Sequence, residues 1–220
     1  MLDKNIRQRI IALIQREVVP AVGCTEPIAV ALCTARATET LGCRPEKITA
    51  LLSANILKNA MGVGIPGTGM IGLPIAIALG AIVGKSEYEL EVIKDVTPDT
   101  LEEGKKYVDK KRIEIKLKSD ITEKLYIDVI CEAAGHKAEA VIAGSHTNFV
   151  YIAKDGETLL DVKKTSGEDG EQGDPELCMR TVYDFTTTTP LNEIAFILKT
   201  KQYNIKAAEE SIKGNYGHCL

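Results

Sequence analysis

Apolar positions recur at helical spacing across residues 4 to 18. Ile6, Ile10, Leu13, Ile14 and Val18 form one stripe, while Arg7, Arg9, Gln15 and Arg16 fall mostly off it. The chain should therefore open with an amphipathic helix that ends at Pro20. The loop Ala21-Val-Gly-Cys-Thr-Glu-Pro27 follows, with Thr25 placed as N-cap and Pro27 allowed in the first helical turn. A second helix over 28 to 41 is nearly all small and apolar, and Gly42 is positioned to close it. Residues 47 to 53 read as a strand leading into a turn and a short helix that carries Lys58 and Asn59. Residues 59 to 84 contain no charged side chain although 26% of the chain is charged, so this stretch belongs in the interior. Its first half holds five glycines and Pro66, which call for sharp turning and close approach, and its second half, 73 to 83, is a plain apolar helix.

Beyond Gly84 the periodicity changes. Leu90, Ile93 and Val96 keep helical spacing, and Thr97-Pro98-Asp99-Thr100 supplies an N-cap and a proline for a charged surface helix to about residue 110. Ile113, Ile115 and Leu117 alternate with charged neighbours, as do Leu125, Ile127, Val129 and Cys131, which is the period of a sheet covered on one face. Strands around 137–143 and 148–153, and one over 158–162 after the Asp155-Gly156 turn, complete a meander of about five. A polar, acidic, glycine-rich loop over 163–175 should be mobile, and helices follow at 176–185, 191–199 and 204–213. The predicted class is α+β, with three regions. Residues 1–85 form a helical core, 86–165 an inserted helix plus antiparallel β-meander subdomain, and 166–220 an acidic loop with C-terminal helices returning to the core.

Length and charge narrow the function classes. A chain of 220 residues with 45% apolar content fits one large domain or two small ones, and a net charge of −4 with interspersed signs argues against a nucleic-acid surface. A membrane-spanning helix needs about 20 uninterrupted apolar residues, and the break at Pro66-Gly67 leaves roughly a dozen, so no membrane partner is expected. The charged N-terminus lacks the apolar centre of a signal peptide, which points to the cytoplasm. Cys24, Cys33, Cys43, Cys131, Cys178 and Cys219 show neither C-x-x-C nor zinc spacing, so they should be free thiols.

The glycine-rich turn is the first candidate site. A tight turn feeding a helix offers unpaired N–H groups and a positive dipole end to an anion such as a carboxylate or phosphate. The pattern G-x-G-x-x-G occurs twice, from Gly62 to Gly67 and from Gly67 to Gly72, but no strand directly precedes it and no Gly-Lys-Ser/Thr follows. Neither a dinucleotide fingerprint nor a P-loop is therefore expected. Cys24 sits between a glycine and a helix start, where N–H groups and the dipole favour a thiolate acting as nucleophile or metal ligand; the bland alternative is a buried free cysteine. Of three histidines, only His146 has neighbours that suggest a site.

Four segments together resemble the L-cysteine desulfidase family, which is related to the iron-sulfur L-serine dehydratase alpha chain. They are Pro20-Ala-Val-Gly-Cys-Thr-Glu-Pro27, Ser53-Ala-Asn-Ile-Leu-Lys-Asn59, Gly62-Val63 with Pro66-Gly-Thr-Gly-Met-Ile-Gly-Leu-Pro74, and Gly144-Ser-His-Thr-Asn148. The resemblance implies a lyase that holds a 4Fe-4S cluster through three cysteines and converts L-cysteine to sulfide, ammonia and pyruvate. Cys24 matches one metal-ligand position. The other two ligands would lie in a C-terminal half outside this chain, so the resemblance implies an N-terminal half, inactive alone, completed by that half or by a second polypeptide. One thiolate cannot hold such a cluster. The implied chemistry has an open iron polarising the leaving group while Lys58 or His146 takes the α-proton. Lys58 qualifies as a base only if buried, whereas His146 needs no such tuning. The substrate carboxylate would be held by the N–H groups around Gly67, Thr68 and Gly69 and by Asn55 and Asn59, with Thr147 and Asn148 beside them. The structural alternatives are that Asn55 caps its helix and that His146, Thr147 and Asn148 satisfy a turn.

L-serine in place of L-cysteine is an open alternative, because the two differ only in the leaving atom. A pyridoxal-phosphate lyase using Lys58 is a rival, although the glycine turn is more apolar than a phosphate cup should be. A rival from another class is a non-catalytic module that assembles as a homo-oligomer and exposes a wide apolar patch on the helices of residues 1–85. The cluster-site reading requires the Cys24 loop and the glycine turn to lie within about 15 Å of each other.

Overall fold

The computed structural model describes residues 2–162 and 174–214. In chain order the first elements are α1 (Lys4–Glu17), α2 (Thr25–Leu41), β1 (Lys47–Leu52), α3 (Ala54–Ala60), β2 (Gly64–Ile65), β3 (Met70–Ile71), α4 (Leu73–Ile82) and α5 (Pro98–Asp109). Then come β4 (Ile113–Leu117), β5 (Tyr126–Ala133), β6 (His136–Ala143), β7 (Phe149–Lys154), β8 (Glu157–Asp161), α6 (Met179–Thr188), α7 (Leu191–Ile194) and α8 (Leu198–Lys213). The class is α+β. Two compact units contain these elements, one over residues 20–169 and one formed by residues 1–19 with 170–220. This partition differs from the division into three regions that the sequence suggests. The acidic loop expected over 163–175 lies, except for its last two residues, outside the described residues, as does Cys219.

The reason for the different partition is β1. The large sheet runs β4-β1-β5-β6-β7-β8, with β1 parallel to β4 (Ile48 opposite Ile113) and antiparallel to β5 (Ile48 opposite Cys131). The expected meander is therefore interrupted, and the sheet is mixed. A parallel pair needs a long crossover, which the chain from α3 to α5 provides. Within residues 20–85, β1 thus joins the sheet, and α2 and α4 share its core cluster instead of forming a separate helical core.

Alternation along the strands puts Ile48, Ala50 and Leu52 of β1 and Ile127, Val129 and Cys131 of β5 into one core cluster with α2 and α4. Every residue of α2 from Pro27 to Ala35 is buried, which explains why that run has no charged residue. α4 crosses it closely: a Cβ added to Gly80 would lie 2.5 Å from the Ala31 carbonyl oxygen. Gly42 closes α2 at φ 86°, and Thr97 with Thr100 forms a reciprocal cap on α5. The helical spacing of Leu90, Ile93 and Val96 does not yield a regular helix. A 3-10 segment over Ser86–Glu91 takes its place, with Glu89 at φ 48°, and the Leu90 carbonyl accepts from the N–H of Val22.

Among the described residues of the other unit, Ile10, Ile11 and Phe185 form the buried apolar cluster, flanked by Leu2, Ile14, Ile194 and Phe196. Ion pairs Arg7–Glu193 (3.1 Å) and Arg16–Asp174 (2.8 Å) join its segments. No helix among the described residues is long and apolar enough to cross a membrane.

Candidate functional site

The N-terminus of α2 is where the candidate residues converge. Gly23, at φ 83°, lies against the ring of Pro66, and an added Cβ would stand 2.6 Å from its Cγ. The Cys24 loop and the glycine hairpin therefore touch, well inside the 15 Å the sequence reading required. Cys24 is the N-cap residue, in extended conformation and exposed, and its side chain makes no capping bond. The expected cap, Thr25, is already helical, and its hydroxyl donates to Glu26 at 3.2 Å.

Glu26 is the hub that sequence reasoning undervalued. Its carboxylate also accepts from Asn59 Nδ2 on α3 at 3.2 Å. Burial pushes its pKa up, but its own backbone N–H, the bonds from Asn59 and Thr25, and the charge of His146 outweigh that, leaving the carboxyl below the usual range. An acid in the first helical turn was visible in the sequence; its reach to α3 and to the 144–148 turn was not. Glu26 and Asn59 thus come together from distant segments, with His146 near enough for its charge to act on the carboxylate.

The glycine turn is a two-strand hairpin, β2 against β3, and not a simple strand-to-helix bend. Thr68 is buried within it, donating to the Ile65 carbonyl at 2.6 Å and accepting from the Met70 N–H at 3.0 Å. Its side chain staples the hairpin and is not a free substrate donor. Gly67 and Gly69 are exposed at positive φ with open space around them, so within this chain their glycines serve the turn. The expected close approach occurs instead at Gly23 and at Gly72, whose Cβ would meet the Met61 carbonyl at 2.6 Å.

On α3, Ser53 is the N-cap, accepting from the Ile56 N–H and donating to the Lys124 carbonyl at 2.8 Å, so Asn55 does not have that role. Asn55 is exposed. Lys58 is exposed as well, so the burial on which its candidacy as a base rested is absent. In the turn between β6 and β7, Asn148 Nδ2 donates to the Ala143 carbonyl at 2.9 Å, an intraturn role, while His146 and Thr147 are half-buried.

A cluster held by three thiolates needs two sulfurs near Cys24. Cys33 and Cys131 are buried between α2 and the sheet; burial pushes both thiols up, Cys131 to about 12, and Cys33 donates to the Ala140 carbonyl at 3.1 Å. Cys43 follows the far end of α2, a helix of 17 residues, which at 1.5 Å per residue puts it about 25 Å from Cys24. Cys178 is in the other unit and caps α6. Among the described residues no three His, Cys, Asp or Glu side chains are grouped to hold a metal. These residues do not fit such a cluster by themselves. A cavity of about 530 Å³ lined by Arg44, Glu103, Lys106, Tyr107, Lys110 and Arg112 shares no residue with the α2 site, and Arg44 there is already paired with Glu103.

The fold and site define an α+β protein whose sheet-packed helix α2 presents a thiol at its N-cap and a carboxylate in its first turn beside a glycine hairpin. The chain is similar along its full length to a UPF0597 protein of Bacteroides fragilis, at 68% identity over 219 residues. It is 67% identical to one of Phocaeicola vulgatus over 220 residues and 41% identical to one of Photobacterium profundum over 225. The chain spans about half of each relative's length, 51% in all three. No protein-family model matches the chain, and no solved structure does. The resemblance to L-cysteine desulfidases drawn from the four motifs is thereby corrected, since the relatives matched across the whole chain carry the UPF0597 name.

Proposed function

We propose that this chain contributes a wall of the active site of a cytoplasmic lyase that carries out β-elimination on a small amino acid, L-cysteine or L-serine. The observation that supports it is that the Cys24 loop touches the glycine hairpin at Pro66 while Glu26, in the first turn of α2, binds Asn59 of α3, with His146 near enough for its charge to act on the Glu26 carboxylate. Elimination requires a base for the α-proton. His146 is the group of this chain suited to that role, and the Glu26 carboxylate, kept ionised by its bonds, would stabilise the imidazolium formed as the proton arrives. The open tip at Gly67 and Gly69 offers backbone room for the substrate carboxylate. Exposed free thiols at Cys24 and Cys43 suit a reducing compartment.

The test uses the full-length protein purified anaerobically and incubated with each amino acid, with pyruvate, ammonia and, for L-cysteine, sulfide measured. Turnover is expected, and Cys24→Ala and His146→Gln should each lower kcat by about 100-fold or more. Absence of turnover with both amino acids, or full activity in both variants, would overturn the reading.

A further inference from the structure

The cavity of about 530 Å³ on α5 gathers cations from three segments: Arg44 from the loop between α2 and β1, Lys106 and Lys110 from the C-terminal end of α5, and Arg112 from just before β4. Lys106 and Lys110 are four residues apart and so about 6 Å apart on one helix face. Three acids also line the cavity, but two of them are engaged: Glu103 with Arg44, and Glu102 with Lys105 at 2.6 Å. The third, Asp99, lies in the first turn of α5, roughly 16 Å along the helix from Lys110. Among the described residues, Lys106, Lys110 and Arg112 take part in no ion pair. The Arg112 guanidinium lies 5.7 Å from the centroid of the Tyr107 ring. That ring is fixed, since Tyr107 is buried and its hydroxyl donates to the Pro45 carbonyl at 2.8 Å. Lysines at the end of a helix also complement its dipole. This accounts for Lys106 and Lys110, but not for Arg44 and Arg112, which come to the same cavity from outside the helix.

We propose that this cavity binds a small phosphate-bearing anion through Lys106, Lys110 and Arg112. A phosphate group carries close to two negative charges and three strong acceptor oxygens, which three uncommitted cations can meet, whereas a lone carboxylate offers one charge. The planar guanidinium suits two of those oxygens at once, and its seat on the Tyr107 ring orients it before a ligand arrives. The ammonium groups of Lys106 and Lys110 act as adaptable point charges beside it. The volume is that of a small-molecule site. A long polyanion fits less well, because its next phosphates would run along α5 toward Glu102 and Asp99. This inference does not rest on the catalytic reading, with whose site the cavity shares no residue.

The experiment titrates the full-length protein with pyrophosphate at low ionic strength in a calorimeter. Saturable binding of one pyrophosphate per chain is expected, and Lys110→Ala combined with Arg112→Ala should weaken it at least tenfold. Glu103→Gln removes a lining carboxylate and frees Arg44, so it should tighten binding about threefold. Asp109→Asn makes the same change of net charge on α5 outside the cavity and should leave the affinity as it was. Absence of binding at millimolar pyrophosphate, binding indifferent to the paired change, or equal tightening by Glu103→Gln and Asp109→Asn would overturn the proposal. So would a single-stranded oligonucleotide that binds more tightly than pyrophosphate and is lost with the same paired change.

Discussion

Asp128 is 3% exposed on β5, between Ile127 and Val129, which join the core cluster; its Oδ1 has no hydrogen-bond partner among the described residues. Burial, with Glu139 nearby, pushes its pKa up to about 6, and Lys118 at 3.7 Å together with Lys137 offsets this only in part. The ion pair and the raised pKa pull in opposite directions, and desolvation wins because Lys118 and Lys137 do not make up for the lost water. The folded value lies above the unfolded one of 3.8, so the stabilisation is fully present below pH 3.8 and is lost as pH rises through about 6. Asp128→Asn should flatten this dependence and raise stability at pH 7.5 by about 2 kcal/mol, with little change at pH 4, as measured by urea unfolding. Glu26 behaves in the opposite sense, its stabilisation being present above the usual carboxylate range and lost as pH falls. Asn59→Ala should move the Glu26 carboxyl upward in an NMR titration; an unchanged value would show that the Asn59 bond does not matter to the hub.

Among the elements, α4 and the 27–35 run of α2 were legible from composition, since helical stretches without charged residues belong in the interior. The closeness of their crossing was not legible. Gly→Ala inside a helix normally stabilises by about 0.5–1 kcal/mol, but at Gly80 the new methyl would meet the Ala31 carbonyl at 2.5 Å. Gly80→Ala should therefore destabilise, by about 2 kcal/mol, whereas Gly67→Ala at φ 76° in open space should cost only about 1 kcal/mol of backbone strain. Thermal unfolding of the pair would decide; equal losses would contradict the close crossing. Caps were partly legible. Gly42 and Thr97 were placed correctly, but Cys24 and Ser53 displaced Thr25 and Asn55 because the helices begin a residue or more earlier than the apolar run suggests. The hairpin β2–β3 was hidden because two-residue strands carry no periodicity.

For the whole molecule, the two units differ in what holds them. The unit over 20–169 has a continuous core of α2, α4 and the sheet, whereas the other buries chiefly Ile10, Ile11 and Phe185. Phe185→Ala should cost about 3–4 kcal/mol and should release the amides of α1 and α6 in hydrogen exchange while those of β5 and β6 stay protected. Loss of protection in β5 and β6 at the same rate would mean that the units unfold as one.

The order of apolar and polar residues was enough, unaided, to establish most helices and strands, the burial of α4, and the α+β class, but not the exposure of the glycine hairpin, where among residues 61–71 only Ile65 and Thr68 are buried. It also singled out Cys24 and His146, because glycine, thiol and imidazole in such contexts are chemically legible one residue at a time. Only the tertiary structure decided that β1 enters the sheet between β4 and β5, that Thr68 and Asn148 are held by their own turns while Lys58 is exposed, and that Glu26 joins α2 to Asn59 of α3. Those outcomes depend on which distant backbones share hydrogen bonds and which side chains meet through space, and local periodicity along a chain carries neither.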